Sequence, residues 1–434
     1  MLVDFSIKNY LSIKDEQTLS FEAANINNLQ EYYTIQIGKY KLLKMGILIG
    51  ANASGKTNIL KALEELRKLC LYKKKRDDPI TRQPKQFLLD RNSYKKETKF
   101  KVTFLGKTDN CYKKFVYQIH FTKEKITFER LEFYPSIQPA LIYERSINSD
   151  SEIGYDFKTG SKVRLTKNNK DFIENEILPN NSILSIFSDK NLKFRLAKEA
   201  YNWFKNYLLK IIFPKTNLIR YSMQFYYENP DYRKSLISFL KKADFNINHV
   251  TTKYLEDEIS EEEFNKLQLF FSKEMVKGIN KKQMYETNFT HFAKEQKSVI
   301  EKILSFETES HGTKRIFGLS APLLQTLKRN KFIFIDELGS SLHFETLKYL
   351  ILIFLKNSDK SQLLFTNHNL FLLDLDFIRK DVIWFTDKKE NASTSLYSLI
   401  EFKGLKRINI LKNYFAKNFG ASPDIYDYDL ELDK

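Results

Sequence analysis

Residues 50–57 read Gly50-Ala51-Asn52-Ala53-Ser54-Gly55-Lys56-Thr57, a full match to G-x-x-x-x-G-K-[ST]. That spacing suits one task, the cradling of phosphates. The glycines let backbone N–H groups converge on an anion. The Lys56 ammonium can reach the β- and γ-phosphates, and the Thr57 hydroxyl can ligate magnesium. A helix starting at Lys56 adds the favourable end of its dipole. Gly50, Asn52, Ser54, Gly55, Lys56, Thr57 and Asn58 are therefore the candidate nucleotide contacts.

A second stretch, "KFIFIDELGSSLH" at 331–343, runs four apolar residues into Asp336 and Glu337. Burying a strand that ends in two acids is costly unless they serve a cation or a reaction. Asp336 fits a magnesium-holding carboxylate, alongside Thr57. Glu337 fits the catalytic group that polarises an attacking water. A third stretch, "SFETESHGTKRIFGLS" at 305–320, places Ser310 and Gly312 before a helix that starts near Thr313. Ser310 is an ordinary N-cap in isolation. It stands, however, some twenty residues before the Asp-Glu strand. In the fourth, "LLFTNHNLFLLD" at 363–374, His368 closes a strand that follows the acidic one by a single helix.

The elements that position these residues follow from periodicity. "KMGILIG" at 44–50 is an apolar strand, and Ile59, Leu60, Leu63, Leu66 and Leu69 give residues 56–72 helical spacing. Residues 2–22 read as two short strands. "KFKVTFLG", "KKFVYQIHFT" and "KITFERLEFY" alternate like an antiparallel meander over 99–135, which "LIYERS" and "KVRLTKN" extend to about 168. From about 171 to 305 the pattern is mostly helical, clearest in "LAKEAYNWFKNYLLKIIF", "YRKSLISFLKKA" and "SEEEFNKLQLFFSKEMVKGI", the last with Ser260 and Glu263 as a capping box. After 313, helix and strand alternate again: "TKRIFGLSAPLLQTLKRN", "KFIFIDE", "FETLKYLILIFLKN", "SQLLFTNH", then "DVIWFTDK" and "STSLYSLIEF". That alternation implies an α/β fold with a mostly parallel sheet covered by helices.

With these residues in hand, the chain resembles AAA-type ATP-binding proteins of the ABC-ATPase class. It is similar to RecF and SMC heads and to the ATPase half of OLD (overcoming lysogenization defect) nucleases. It also looks like stand-alone bacterial ATPases of that group, namely abortive-infection ATPases and AriA of the PARIS anti-phage system. "GANASGKTN", "ESHGTKRIF…FIFIDELGSSLH", the tail "NYFAKNFGASPDI" and the N-terminal "FSIKNYLSIKDE" carry the resemblance. It implies a P-loop NTPase of ABC-ATPase type with an antiparallel β subdomain and a helical insertion. The expected division is 1–170, an ATPase lobe with Walker A and the meander; 171–305, the insertion; and 306–434, a lobe with signature, Walker B and switch histidine.

The resemblance also implies chemistry. ATP with Mg2+ binds between two subunits of a homo-oligomer, an ATP-sandwich dimer or larger. One copy supplies Lys56, Thr57, Asp336 and Glu337, and the other supplies Ser310 and Gly312 in trans. His368 senses the γ-phosphate, and Ser340, Ser341 and His343 occupy the loop that faces the partner. Members work with an effector such as a Toprim-type nuclease. His311 and Gly339 depart from the usual pattern. Gln86, in "KQFLLD", is the candidate for the glutamine that links magnesium to water.

Composition bounds the alternatives. No apolar run of eighteen residues exists, and the start lacks a basic segment followed by an apolar one, so a cytoplasmic protein with no membrane partner is expected. Two cysteines, Cys70 and Cys111, make neither a disulfide framework nor a cysteine zinc site. The net charge of +17 suits a DNA or RNA partner, most densely over "RKLCLYKKKRDDPITRQPK" at 67–85; a Lys-, Asn- and Ile-rich composition yields the same excess. "DLD" at 374–376 mimics a Toprim D-x-D, yet only 97 residues follow Glu337, too few for a nuclease domain beyond the ATPase core. "FTDKKE" lacks the base-reading order of GTPases. A defence ATPase controlling a partner effector is the leading expectation, and a RecF- or SMC-like DNA-repair or DNA-end-binding ATPase is the alternative.

Overall fold

The computed structural model describes residues 1–108, 111–148, 150, 154–163, 165–188, 194–243, 247–256, 283–295, 298–404 and 409–422. They form two compact units. The first comprises Met1–Pro214, Arg329–Leu338 and Leu352–Lys434, and the second Lys215–Lys328 and Gly339–Ile351.

The first unit contains two main sheets. One begins with β1 (Leu2–Lys8) and β2 (Gln17–Ser20). After α1 (Gln30–Tyr33) and the small hairpin β3 (Thr34–Ile37) and β4 (Tyr40–Leu43), the chain enters β5 (Met45–Ile49) and then α2 (Lys56–Leu71). It returns to the first sheet through β6 (Thr98–Thr108), β7 (Cys111–Phe121), β8 (Ile126–Tyr134), β9 (Ala140–Ile147) and β10 (Tyr155–Thr159). The resulting order is β10-β9-β8-β7-β6-β1-β2, antiparallel throughout, as the period-2 alternation requires. "KVRLTKN" does not extend it among the described residues: residues 161–162 form a turn, and α3 (Lys167–Glu176) begins after Thr166, whose hydroxyl caps it by accepting the Asn169 N–H.

A buried carboxylate ties this sheet to residues 178–183. Glu129 accepts from Tyr117 Oη, Tyr143 Oη and the Ile183 N–H at 2.8–3.0 Å, and Arg145 lies 3.3 Å away, with both side chains fully buried. Glu129 is satisfied on several sides, whereas Arg145 Nε and Nη2 are buried with no hydrogen-bond partner among the described residues; removing either residue of the pair would strand a charge in the core. After α4 (Arg195–Asn202) a π-turn at Trp203–Tyr207 ends the helical run, and residues 208–212 lie extended beside the edge of the second sheet.

The second unit holds α5 (Leu218–Glu228) and α6 (Arg233–Lys242). It then departs from the helical reading of 171–305. β11 (Ile247–Glu256), β12 (Gln283–Glu295) and β13 (Ser298–Ser305) form an antiparallel sheet. Thr252 and Thr287 face one another across it at 3.1 Å. The expected helix with Ser260 and Glu263 lies outside the described residues. α7 (His311–Arg329) follows, with Ile316, Phe317 and Leu319 buried.

The second sheet of the first unit is built last. β14 (Phe332–Ile335), α8 (Phe344–Asn357) and β15 (Gln362–Thr366) are followed by β16 (Ile383–Lys388), β17 (Thr394–Ser398) and α9 (Ile410–Phe415). The order is β14-β15-β5-β16-β17, parallel except for β17. Every residue of β5, β14 and β15 is buried, which explains the apolar runs of β5 and β14 and the apolar centre, Leu363–Phe365, of β15. Burial of each large side chain contributes about 1.5–3 kcal/mol. This is the α/β arrangement of a P-loop NTPase, with the phosphate-loop sequence at the carboxyl end of the central strand and an antiparallel β subdomain beside it. Among the described residues no helix is long and apolar enough to cross a membrane.

Candidate functional site

β5 delivers the chain into the Gly50–Gly55 loop, and α2 begins at Lys56. Two glycines there have no substitute. A Cβ on Gly50 would run into the Thr386 carbonyl oxygen and hydroxyl. Gly55 has φ +108, and a Cβ would strike the Thr394 hydroxyl. The loop is clamped from outside its own sequence. Ser54 Oγ and Thr386 Oγ1 are 2.6 Å apart, Thr394 Oγ1 donates to the Ser54 carbonyl at 2.8 Å, and Ala51 N–H donates to the Ala421 carbonyl at 2.9 Å. Asn58 donates its amide to Ser12 Oγ at 2.7 Å, and Ser12 Oγ in turn meets Thr394 Oγ1. Asn52 is exposed at the loop tip.

Lys56 is buried and curls back over the loop. Its Nζ donates to the carbonyls of Gly50 and Ala51 at 2.8 and 2.9 Å. Burial pushes its pKa down, while Asp336 and Glu337 pull it back up. Asp336, buried at the end of β14, accepts from Thr57 Oγ1 at 3.0 and 3.1 Å. Thr366, fully buried at the end of β15, donates its hydroxyl to Asp336 Oδ1 at 2.8 Å. The same hydroxyl accepts the Glu337 N–H at 2.8 Å. Glu337 takes the left-handed conformation, φ +51, uncommon for a residue with a side chain. Its carboxylate lies 3.5 Å from His368 Nε2. Burial, and then the Lys56 charge, push the His368 pKa down, with Glu337 opposing. The shift favours the neutral imidazole.

The structure therefore brings Lys56, Thr57, Asp336, Glu337 and His368 together in one unit. Ser310 and Gly312 belong to the other unit. Ser310 caps α7, its Oγ accepting the Thr313 N–H at 3.1 Å and meeting Thr313 Oγ1 at 2.8 Å. A Cβ on Gly312 would make ordinary contact only, nearest the Ser341 carbonyl at 3.6 Å. His343 Nδ1 accepts the Glu345 N–H at 3.3 Å near the start of α8. Gln86 is buried in the loop after α2, and among the described residues no hydrogen bond joins it to Thr57, Asp336 or Glu337. Thr366, Thr386 and Thr394 are additions that motif reading does not find; Ser12 and Ala421 lie in the N-terminal and tail stretches that carry the resemblance, but their contacts with the phosphate loop appear only in the structure.

The donor set near Asp336 suits magnesium. One carboxylate and one hydroxyl are hard oxygen ligands, the number that this ion takes from a protein when phosphates and waters complete its shell. Among the described residues no cluster of three or more His, Cys, Asp or Glu forms a closed metal cage.

Comparison with known proteins gives structural likenesses at low identity and one family match. Among solved structures the chain is similar to the SMC head domain from Thermotoga maritima, at 12% identity over 92% of this chain and 98% of that one, with a TM-score of 0.41. It is similar to an SMC head bound to the C-winged helix domain of ScpA, at 12% identity over 92% and 99%, TM-score 0.43. A Pyrococcus furiosus SMC head with an extended coiled coil, bound to the C-terminal domain of ScpA, gives 12% identity over 92% and 97%, TM-score 0.37. No curated protein matches the sequence. The family model described as "AAA domain, putative AbiEii toxin, Type IV TA system" matches residues 47–374. That span takes in well over half of the sequence, and the chain is a member of this AAA-domain family.

Proposed function

We propose that this protein is an ABC-type ATPase that hydrolyses ATP at an interface between two copies of itself and thereby controls a partner effector. The observation that carries the reading is the chain of hydroxyls and carboxylate from Thr57 through Asp336 to Thr366, which ties the phosphate loop to the acidic strand. Lys56 exchanges its two carbonyl partners for phosphate oxygens. Thr57 and Asp336 would hold Mg2+, which when bound would neutralise charge on the phosphates. Glu337 accepts the proton of the attacking water. His368 would donate one hydrogen bond towards the γ-phosphate. Ser310 and Gly312 from a second copy complete the site, so that binding closes the oligomer and hydrolysis reopens it.

A cytoplasmic anti-phage role follows from the resemblance to abortive-infection and AriA-type ATPases, with a separate effector such as a Toprim-type nuclease. The family's description, which refers to a toxin of a type IV TA system, supports that side. The net charge of +17 favours a second reading, a RecF- or SMC-like ATPase acting on DNA.

ATP-analogue binding, phosphate release and light-scattering mass with ATP test the ATPase part of this reading, and cell survival tests the role. Lys56→Ala loses binding. Glu337→Gln binds normally, turns over at least about a hundredfold more slowly and accumulates a closed oligomer. Wild-type turnover by Glu337→Gln would remove that residue from the role. Loss of phage protection with unchanged ultraviolet survival in Lys56→Ala cells supports defence; the reverse pattern supports repair.

A further inference from the structure

Two cavities in the first unit share Tyr112 as a common wall. One, of about 450 Å³, is lined by Lys107, Arg329 and Lys360, with Trp203 and Asn206 behind them. The other, of about 360 Å³, is lined by Lys39, Lys113 and Lys114, with Tyr40 and Tyr134. The β6–β7 register assembles both: Lys107 stands opposite Tyr112, Gly106 opposite Lys113 and Leu105 opposite Lys114.

The charge here is one-sided. Of the charged residues lining the two cavities, six are cations, and Glu199 is the one carboxylate. Lys360 lies 3.9 Å from the exposed Asp359. Among the described residues the other five cations make no ion pair. Lys113 Nζ donates instead to the Pro135 carbonyl at 3.0 Å, and Lys114 Nζ sits 3.6 Å from the centre of the Tyr134 ring. Asp4 and Glu22 act on Lys114 from beyond the lining, but cations outnumber carboxylates around both cavities, and gathering them costs self-repulsion, which a polyanion relieves. The aromatic component is specific too. Trp203 is buried and stacks with Phe104 at 4.2 Å and Tyr207 at 5.7 Å, whereas Tyr112, which lines both cavities, is 37% exposed.

Cations on both sides of one accessible ring match a strand whose phosphates fill the two cavities and whose base stacks on the ring. A duplex hides its base faces and cannot use Tyr112. A mononucleotide cannot fill both cavities. Arg329 and Lys360 precede β14 and β15, so this surface lies at the end of the parallel sheet opposite the phosphate loop. Strands of four and five residues set the two apart by about 13 Å or more. We propose that the paired cavities around Tyr112 bind single-stranded nucleic acid, independently of the ATP reading.

The test is fluorescence anisotropy with a labelled 20-nucleotide oligothymidylate, an equally long duplex, and thymidine monophosphate as competitor. Wild-type protein is expected to bind the single strand more tightly than the duplex and to resist the mononucleotide. Tyr112→Ala is expected to raise Kd about tenfold, within the range of one lost stacking contact. The exposed changes Lys107→Gln and Arg329→Gln are expected to lower the salt slope by about 0.7 each. Lys56→Ala binds the oligonucleotide like wild type, which separates this site from the ATPase. Equal affinity for duplex, ready displacement by thymidine monophosphate, or wild-type binding by folded Tyr112→Ala and Lys107→Gln/Arg329→Gln proteins overturns the proposal.

Discussion

Thr366 Oγ1 donates to Asp336 Oδ1 at 2.8 Å while accepting the Glu337 N–H at the same distance, so one buried hydroxyl fixes both acids. Thr366→Val keeps the strand shape but removes that hydroxyl. It leaves the Glu337 N–H without its partner, at a cost of about 1–3 kcal/mol. ATP turnover is expected to fall about 10- to 100-fold, as when an outer partner of a metal ligand is lost. Thr366→Ser keeps the bonds and most of the activity. Phosphate-release assays on the two variants, with thermal melts as the folding check, decide this; a fully active Thr366→Val would show that the hydroxyl only fills space.

The glycines of the phosphate loop give a second expectation. In Gly50→Ala the new methyl meets the Thr386 backbone carbonyl, which β16 holds in place. In Gly55→Ala it meets Thr394 and also inherits φ +108. Overpacking of this kind costs about 1–3 kcal/mol, and the left-handed backbone adds about 1–2 kcal/mol at Gly55. Both variants should lose ATP-analogue binding, with Gly55→Ala melting at the lower temperature. A Gly50→Ala protein that binds ATP like wild type would mean that the loop opens away from β16.

The tail supplies a third. The Ala421 carbonyl accepts from both the Ala51 N–H at 2.9 Å and Tyr414 Oη at 2.8 Å, and Phe419 stacks on Phe385 with ring centres 5.6 Å apart. Truncation after Lys417 removes this prop from the loop. ATP Kd, read by calorimetry, should rise several-fold, whereas Tyr414→Phe, which loses one of two bonds to the carbonyl, should cost only about 1 kcal/mol in stability. Unchanged ATP affinity in the truncated protein would exclude the tail as a support of the phosphate loop.

The contrast between Asp336 and Thr366 explains what was legible in the sequence. Asp336 and His368 each end a buried apolar run with a polar group that the core cannot use, a signal carried by neighbours in the chain. Thr366 looks like any strand threonine. Its role appears only when β14 and β15 pair in parallel with Ile335 opposite Phe365, which sets Asp336 beside Thr366 one step on. Ser12, Thr386, Thr394 and Ala421 reach the phosphate loop through equally non-local contacts. The same physics hid β11–β13: Lys253 pairs with Glu286 across 33 positions, and the helix formers around them dominate local spacing. Short-range period marks the strand ends that carry chemistry, and only the register shows what surrounds them.

His120 sets an acid limit on the antiparallel sheet. Its ring packs against Phe128 at 4.9 Å, Lys99 stands opposite on β6, and Glu97 lies 3.6 Å away. Burial, helped by the Lys99 charge, pushes its pKa down to about 4 against the partial opposition of Glu97. The unfolded chain, with an ordinary value near 6.5, therefore binds the proton first as pH falls. Between about pH 6.5 and 4 the unfolded state holds more protons, so stability drops with pH, by at most about 1.4 kcal/mol per unit for one group. His368, also shifted down, contributes with the same sign. Urea midpoints at pH 7 and pH 5 should converge for His120→Gln relative to wild type, while His368→Gln retains most of the wild-type drop. If His120→Gln loses as much stability between the two pH values as wild type does, the acid sensitivity resides elsewhere than in the β6–β7 pair.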